Sequence, residues 1–223
     1  MKRRSIQFDA RRAVWIESER VLAIADLHLG YAWAHRHNGQ LLPVAQPDDC
    51  LKRLQALCAS YSPKHLVLLG DIVHQALALE PIERELNELR CCFGPDTQLV
   101  LIRGNHDRKL APLAARAGLE LTSEFSAGEY LFVHGDKEPS PAHTGKLVFM
   151  GHEHPAISLG DGISNRKFPC FLLSEKVIVL PAFSSWAAGA NVRTGRYMSA
   201  LASKAGFDEA LAILGERLLP VRL

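Results

Sequence analysis

No stretch of this sequence approaches the ~18 apolar residues of a membrane span, and its charged start, Met1 to Arg4, is not followed by the apolar core of a secretion signal. The chain therefore reads as soluble and cytoplasmic, with no membrane partner. An excess of one charge is lacking too: 26 Lys and Arg against 24 Asp and Glu leave a net charge of +2, too small to argue for broad polyanion binding. The basic residues Lys2, Arg3, Arg4, Arg11 and Arg12 read as a solvated, fraying terminus. The five cysteines, at 50, 58, 91, 92 and 170, are odd in number and form no C-x-x-C pair. That pattern argues against a disulfide framework and fits reduced thiols. Low-complexity tracts and linkers are also missing, and 223 residues suit a single α/β domain over 1–223.

What is present is a rhythm of short apolar runs, each ended by residues that ligate metals. Gln98 to Ile102 runs into Gly104-Asn105-His106-Asp107, and Val21 to Ala25 into Asp26-Leu27-His28. His65 to Leu69 ends in Gly70-Asp71, Tyr130 to Val133 in His134-Gly135-Asp136, and Leu147 to Met150 in Gly151-His152-Glu153-His154. Short β-rich runs bounded by glycine read as buried strands, and in α/β sheets a site lies beyond the carboxyl ends of the strands. All five ends can then meet in one crevice. Together they offer Asp26, His28, Asp71, Asn105, His134, His152 and His154. That set is too large for one transition metal and suits two ions roughly 3.5 to 4 Å apart sharing a carboxylate. Nitrogen and oxygen donors without thiolate point to two divalent ions, Mn²⁺ ahead of Fe²⁺ or Zn²⁺.

The ordered set D-x-H, G-D, G-N-H-D, H and G-H-x-H, from Ala25 to about His154, resembles the calcineurin-like metallophosphoesterases. Asp26 to Gly30, Gly151 to Pro155, Phe168 to Phe171 and Leu180 to Phe183 resemble a narrower subgroup. This comprises bacterial and archaeal phosphoesterases related to double-strand-break repair nucleases, including those associated with DNA ligase. The resemblance implies an α/β, two-sheet β-sandwich flanked by helices (αββα). It implies that one ion takes Asp26, His28, Asp71 and His154, and the other Asp71, Asn105, His134 and His152. It further implies that a hydroxide between the ions attacks phosphorus, that His106 protonates the departing oxygen, and that Asp107 orients His106. Arg103, Arg108 and Arg36 are candidates for holding phosphate. The expected activity is a phosphodiesterase with nucleic acid among its substrates. Phosphomonoesters, nucleotide or lipid pyrophosphates and a non-enzymatic metal-binding scaffold are the alternatives. A ligase or helicase partner rests on subgroup likeness alone.

Local patterning fills in the rest. Ser5 to Ile16 suggests a hairpin turning near Asp9 to Arg12. Gly30 to Pro43 reads either as a lid or as a short helix packing Tyr31 and Trp33. Helices are expected from an Asp48 cap to Tyr61, from Pro81 to Phe93 and over Leu110 to Gly118. His74, three residues after Asp71, could reach the residues around the ligands or the substrate, but an exposed histidine is the preferred reading, and Glu153 should face away from the site. Strand periodicity predicts that Asp26 and His28, like His152 and His154, share one face. Phe168 to Leu173 and Lys176 to Leu180 form a predicted hairpin in an antiparallel second sheet, Trp186 is a candidate pocket wall, and Asp208 to Leu214 suits a helix.

Overall fold

The structure, a computed structural model, describes residues 6–40, 50–77, 80–160, 165–187 and 189–223. Two sheets stack face to face. The first runs in the order β1 (Ile6–Asp9), β2 (Ala13–Ile16), β3 (Val21–Ile24), β4 (His65–Leu69), β5 (Gln98–Ile102) and β6 (Leu121–Thr122). Its hairpin edge is antiparallel, and β3 to β6 are parallel. The crossovers carry α1 (Tyr31–His37), α2 (Cys50–Tyr61), α3 (Glu80–Leu89) and α4 (Ala111–Arg116). The Asp48 cap and the end of the Gly30 to Pro43 segment lie outside the described residues; the part that is described is helix α1.

The second sheet contains β7 (Glu124–Ala127), β8 (Tyr130–Val133), β9 (Leu147–Met150), β10 (Pro155–Gly160), β11 (Asn165–Leu173), β12 (Val177–Val179) and β13 (Ala190–Asn191). A short helix α5 (Ala200–Lys204) precedes β14 (Glu209–Leu214) and β15 (Arg217–Arg222), a hairpin added to β11. This sheet is mixed rather than antiparallel, because β8, β9 and β12 pair in parallel.

Alternation along each strand divides the core. In β3, Leu22 and Ile24 join Leu54, Leu57, Leu86 and Leu89 of the helices, whereas Val21 and Ala23 join Phe132, Phe149 and Phe171 between the sheets. Period-two side-chain direction is the cause. On the far face of the second sheet, Leu131, Met150 and Leu172 pack with Val192 and Ala202.

Two expectations need correcting. Asp208 to Leu214 is not a helix. Ala210 and Ala212 are fully buried on one face of β14, and the turn at Gly215, at φ 63°, returns the chain into β15. The five ligand-bearing strands also do not lie in one sheet. β3, β4 and β5 belong to the first, β8 and β9 to the second. The sheets are joined beside the first motif by a parallel bridge between Ala25 and Ala182, where the Phe183 amide donates to the Ala25 carbonyl at 2.7 Å.

Candidate metal centre

Asp26, His28, Asp71 and His154 each bring a ligand atom to within 4.8 Å of the others. They arrive there on an unusual backbone. The strand does not continue through D-x-H or H-x-H as expected: Asp26, His28, Asp71, His152 and His154 have φ of 54°, 49°, 46°, 70° and 43°. Left-handed backbone at a non-glycine residue costs on the order of 1–3 kcal/mol and persists only when its surroundings fix it. Here cross-strand bonds do so. The amide of Asp26 donates to the Gly70 carbonyl at 3.2 Å, His28 to the Asp71 carbonyl at 2.9 Å, and His152 to the Asp26 carboxylate at 3.1 Å.

A second group meets the first at Asp71. His134 Nε2 lies 3.5 Å from Asp71 Oδ1, 3.0 Å from Asn105 Oδ1 and 3.1 Å from His152 Nδ1. His134 Nδ1 donates to the Leu69 carbonyl at 2.9 Å, so the proton sits there and Nε2 keeps its lone pair toward the centre. Glycine makes the approach feasible. A Cβ on Gly70 would sit 2.3 Å from His134 Nδ1, and one on Gly104 would sit 2.2 Å from Asp71 Oδ1.

The electrostatics suit a divalent cation. Burial lowers His28 to about 3 and also lowers His152, keeping both neutral as ligands must be. Burial opposes ionisation of Asp26, but His154 and its neighbours outweigh it and hold the carboxyl below its ordinary value. Burial raises Asp71. His28 Nδ1 is buried with no hydrogen-bond partner, while its Nε2 lies 3.3 Å from His154 Nε2. Converging imidazole nitrogens beside buried carboxylates form a donor set complementary to a metal ion.

His106 stands at the rim. Its amide donates to Asp71 Oδ1 at 3.0 Å, its Nδ1 to the His74 carbonyl at 2.8 Å, and its Nε2 lies 3.8 Å from Asp71 Oδ2. Asp107 does not orient that ring. Its fully buried carboxylate accepts from the amides of Gly104, Ile72 and Val73, bracing the two ligand turns together. Burial pushes it up to about 6.

His74, expected to be exposed, is half-buried, with its ring 5.6 Å from His28 and 5.4 Å from His106. Its place three residues after Asp71, in the same turn, was the available signal. Glu153 turns away from the ligands and accepts from the Met198 and Ser199 amides at 2.7 and 2.8 Å. Arg103 and Arg108 line a cavity against His134, whereas exposed Arg36 lies over the Trp33 ring.

The calcineurin-like phosphoesterase family model matches residues 19–156. The chain belongs to that family. Among 27 matching chains of solved structures is Pseudomonas putida nuclease MPE, with 25% identity and a TM-score of 0.72 over 97% of this chain and 94% of that one. No curated protein sequence matches. This phosphoesterase is thus a metal-dependent hydrolase, with two stacked sheets between helices. Among the described residues, no helix is long and apolar enough to cross a membrane.

Proposed function

We propose that this phosphoesterase is a dinuclear phosphodiesterase that acts on nucleic acid, with residues 1–223 working as one domain. The observation that carries the dinuclear reading is the position of Asp71, within reach of both the Asp26–His28–His154 group and the Asn105–His134–His152 group. Asp26, His28, Asp71 and His154 would hold one ion, and Asp71, Asn105, His134 and His152 the other. Two bound cations, Mn²⁺ foremost, would supply charge neutralisation at the phosphoryl oxygens and a more acidic water.

The protein's own contribution centres on His106. Bonds from its amide and Nδ1 fix the ring, leaving Nε2 3.8 Å from Asp71 Oδ2. When Nε2 carries a proton, it delivers that proton to the departing oxygen as the oxygen of a water that has given up one proton to solvent adds to phosphorus and the old P–O bond breaks. The likeness to a nuclease over nearly the whole chain supports nucleic acid as substrate.

The test compares bis-p-nitrophenyl phosphate with p-nitrophenyl phosphate on metal-stripped protein reconstituted with Mn²⁺. Preferential turnover of the diester is expected, and Asp71→Asn should lose metal and activity together. His106→Ala should retain metal yet lose roughly 100-fold or more in rate on a diester with a poor leaving group, and far less on an activated one. Equal losses on both substrates would remove His106 from the proton transfer. Turnover of the monoester alone would overturn the diesterase reading.

A further inference from the structure

Leu180 to Ser184 follows β12 and crosses from the second sheet to the first. The Leu180 amide donates to the Met150 carbonyl at 2.8 Å, just before the turn that carries His152 and His154. Farther along, the Phe183 amide donates to the Ala25 carbonyl at 2.7 Å and the Ser184 amide to the Asp26 carbonyl at 3.1 Å. Asp26 is thereby held from both directions, since its own amide donates to the Gly70 carbonyl. Its φ of 54° is one that an aspartate keeps only under such constraint. The segment is a clip on the backbone of a metal-ligand turn.

While the clip's amides reach toward β3, its carbonyls are held by two arginines. Arg12 Nη1 donates to the Ala182 carbonyl at 2.9 Å and to the Ser184 carbonyl at 2.7 Å, with the Phe183 carbonyl at 3.5 Å. Arg53 Nη2 donates to that same Phe183 carbonyl, and its guanidinium lies 4.2 Å from the centre of the fully buried Phe183 ring. Arg12 comes from the turn between β1 and β2, and Arg53 from α2, so both anchors belong to the first sheet and its helices. Arg12 is therefore no part of a solvated, fraying terminus. It is half-buried, its amide donates to the Asp9 carbonyl at 2.9 Å, and it adopts a left-handed φ of 69°. Hydrogen bonds from a charged donor are stronger than neutral ones, which suits a fastening role.

We propose that Arg12 and Arg53 are positioning residues of the metal centre: by gripping the carbonyls of Ala182, Phe183 and Ser184 they hold the clip on Ala25 and Asp26, and so hold the Asp26 carboxylate where His28, Asp71 and His154 meet it. This inference rests on the proposed dinuclear centre and adds to it two residues outside its ligand set. Loss of either grip loosens the Asp26 turn and weakens the ion that Asp26 holds. The other ion is affected less, because His134 is oriented by the Leu69 carbonyl instead.

The experiment titrates metal-stripped protein with Mn²⁺, following free ion, lone bound ion and spin-coupled pair by electron paramagnetic resonance. Hydrogen exchange of the peptide containing Phe183 and Ser184 is measured before metal is added. Arg12→Met and Arg53→Met keep the alkyl stems and remove the donors. Each should weaken one Mn²⁺ site by about 10- to 100-fold, the range for losing a group that supports a metal ligand. The coupled signal should then give way to that of a lone ion at metal levels that fill both sites of the wild type. Phe183 and Ser184 should exchange faster in both variants, with β4 and β5 at the wild-type rate. Arg12→Lys and Arg53→Lys, which restore a charged donor, should recover most of both effects. Unchanged affinity and exchange in both methionine variants overturns the inference. So does a loss shared equally by the two ions with equal acceleration across β4 and β5, which marks general destabilisation. Should a methionine variant not fold, Arg→Gln at that position, which keeps an N–H donor, is judged by the same criteria. A wild type that binds a single Mn²⁺ overturns the dinuclear reading but not the inference, which the affinity of that ion and the exchange rates then decide; a wild type that binds none overturns both.

Discussion

At the scale of single residues, Asp107 has a structural task that its place beside His106 in the sequence conceals. A histidine followed by a carboxylate invites an orienting pair, yet the His106 ring is held by the His74 carbonyl and Asp107 by three backbone amides. Leaving a buried donor without its acceptor costs about 1–3 kcal/mol. Asp107→Ala should therefore destabilise the metal-stripped protein by roughly 3 kcal/mol or more, with Asp107→Asn in between, as read by urea midpoints. A variant of unchanged stability and reduced rate would restore the orienting role. The candidate ligands were legible in the sequence because carboxylates and imidazoles recur at the ends of successive apolar runs, and the structure brings Asp26, His28, Asp71 and His154 within 4.8 Å of one another. His74 was legible only in part: its place three residues after Asp71 was a signal, but its contacts with the His28 and His106 rings depend on residues distant in the chain.

At the scale of elements, the antiparallel edge of the first sheet is tied to helix α2 through one carboxylate. Asp9 accepts from the Arg11 amide at 2.8 Å, from Arg11 Nη2 at 2.6 Å and from the Tyr61 hydroxyl at 2.8 Å. Burial acts to raise the Asp9 carboxyl, but these donors outweigh it and hold it below 3.8. A folded value below the unfolded one means the contact stabilises fully above pH 3.8 and fades as pH falls through the folded value. Asp9→Asn should be less stable than wild type at neutral pH, and that gap should close on acidification below pH 3.8 in denaturant titrations. A gap independent of pH would assign the loss to packing. Elements with clean periodicity, such as α2 and the five apolar strands, could be read directly. The segment ending at Leu214 could not, because Glu-Ala-Leu-Ala-Ile-Leu suits helix and strand equally until β11 and β15 are there to pair with it. The split of the motif strands between two sheets was likewise invisible, since a run of apolar residues does not say which neighbour it will pair with.

At the scale of the whole molecule, the proposed ligands come from both sheets, so a bound ion joins them across the core. Ligand that binds only the folded state stabilises it by about 2.7 kcal/mol at 100 times its dissociation constant. Adding Mn²⁺ to metal-stripped protein should therefore raise the unfolding midpoint in a concentration-dependent way, and Asp71→Asn should abolish most of that rise. A midpoint indifferent to metal would sink the two-sheet site. The same division bears on how the protein is made. A growing chain delivers Asp26, His28, Asp71 and Asn105 with the first sheet, but the histidines at 134, 152 and 154 follow only with β8 and the turn after β9, and β10 to β14 must still close behind them. Until most of the chain has been made, the residues proposed to hold the metal are not all present, so the centre is assembled late in synthesis.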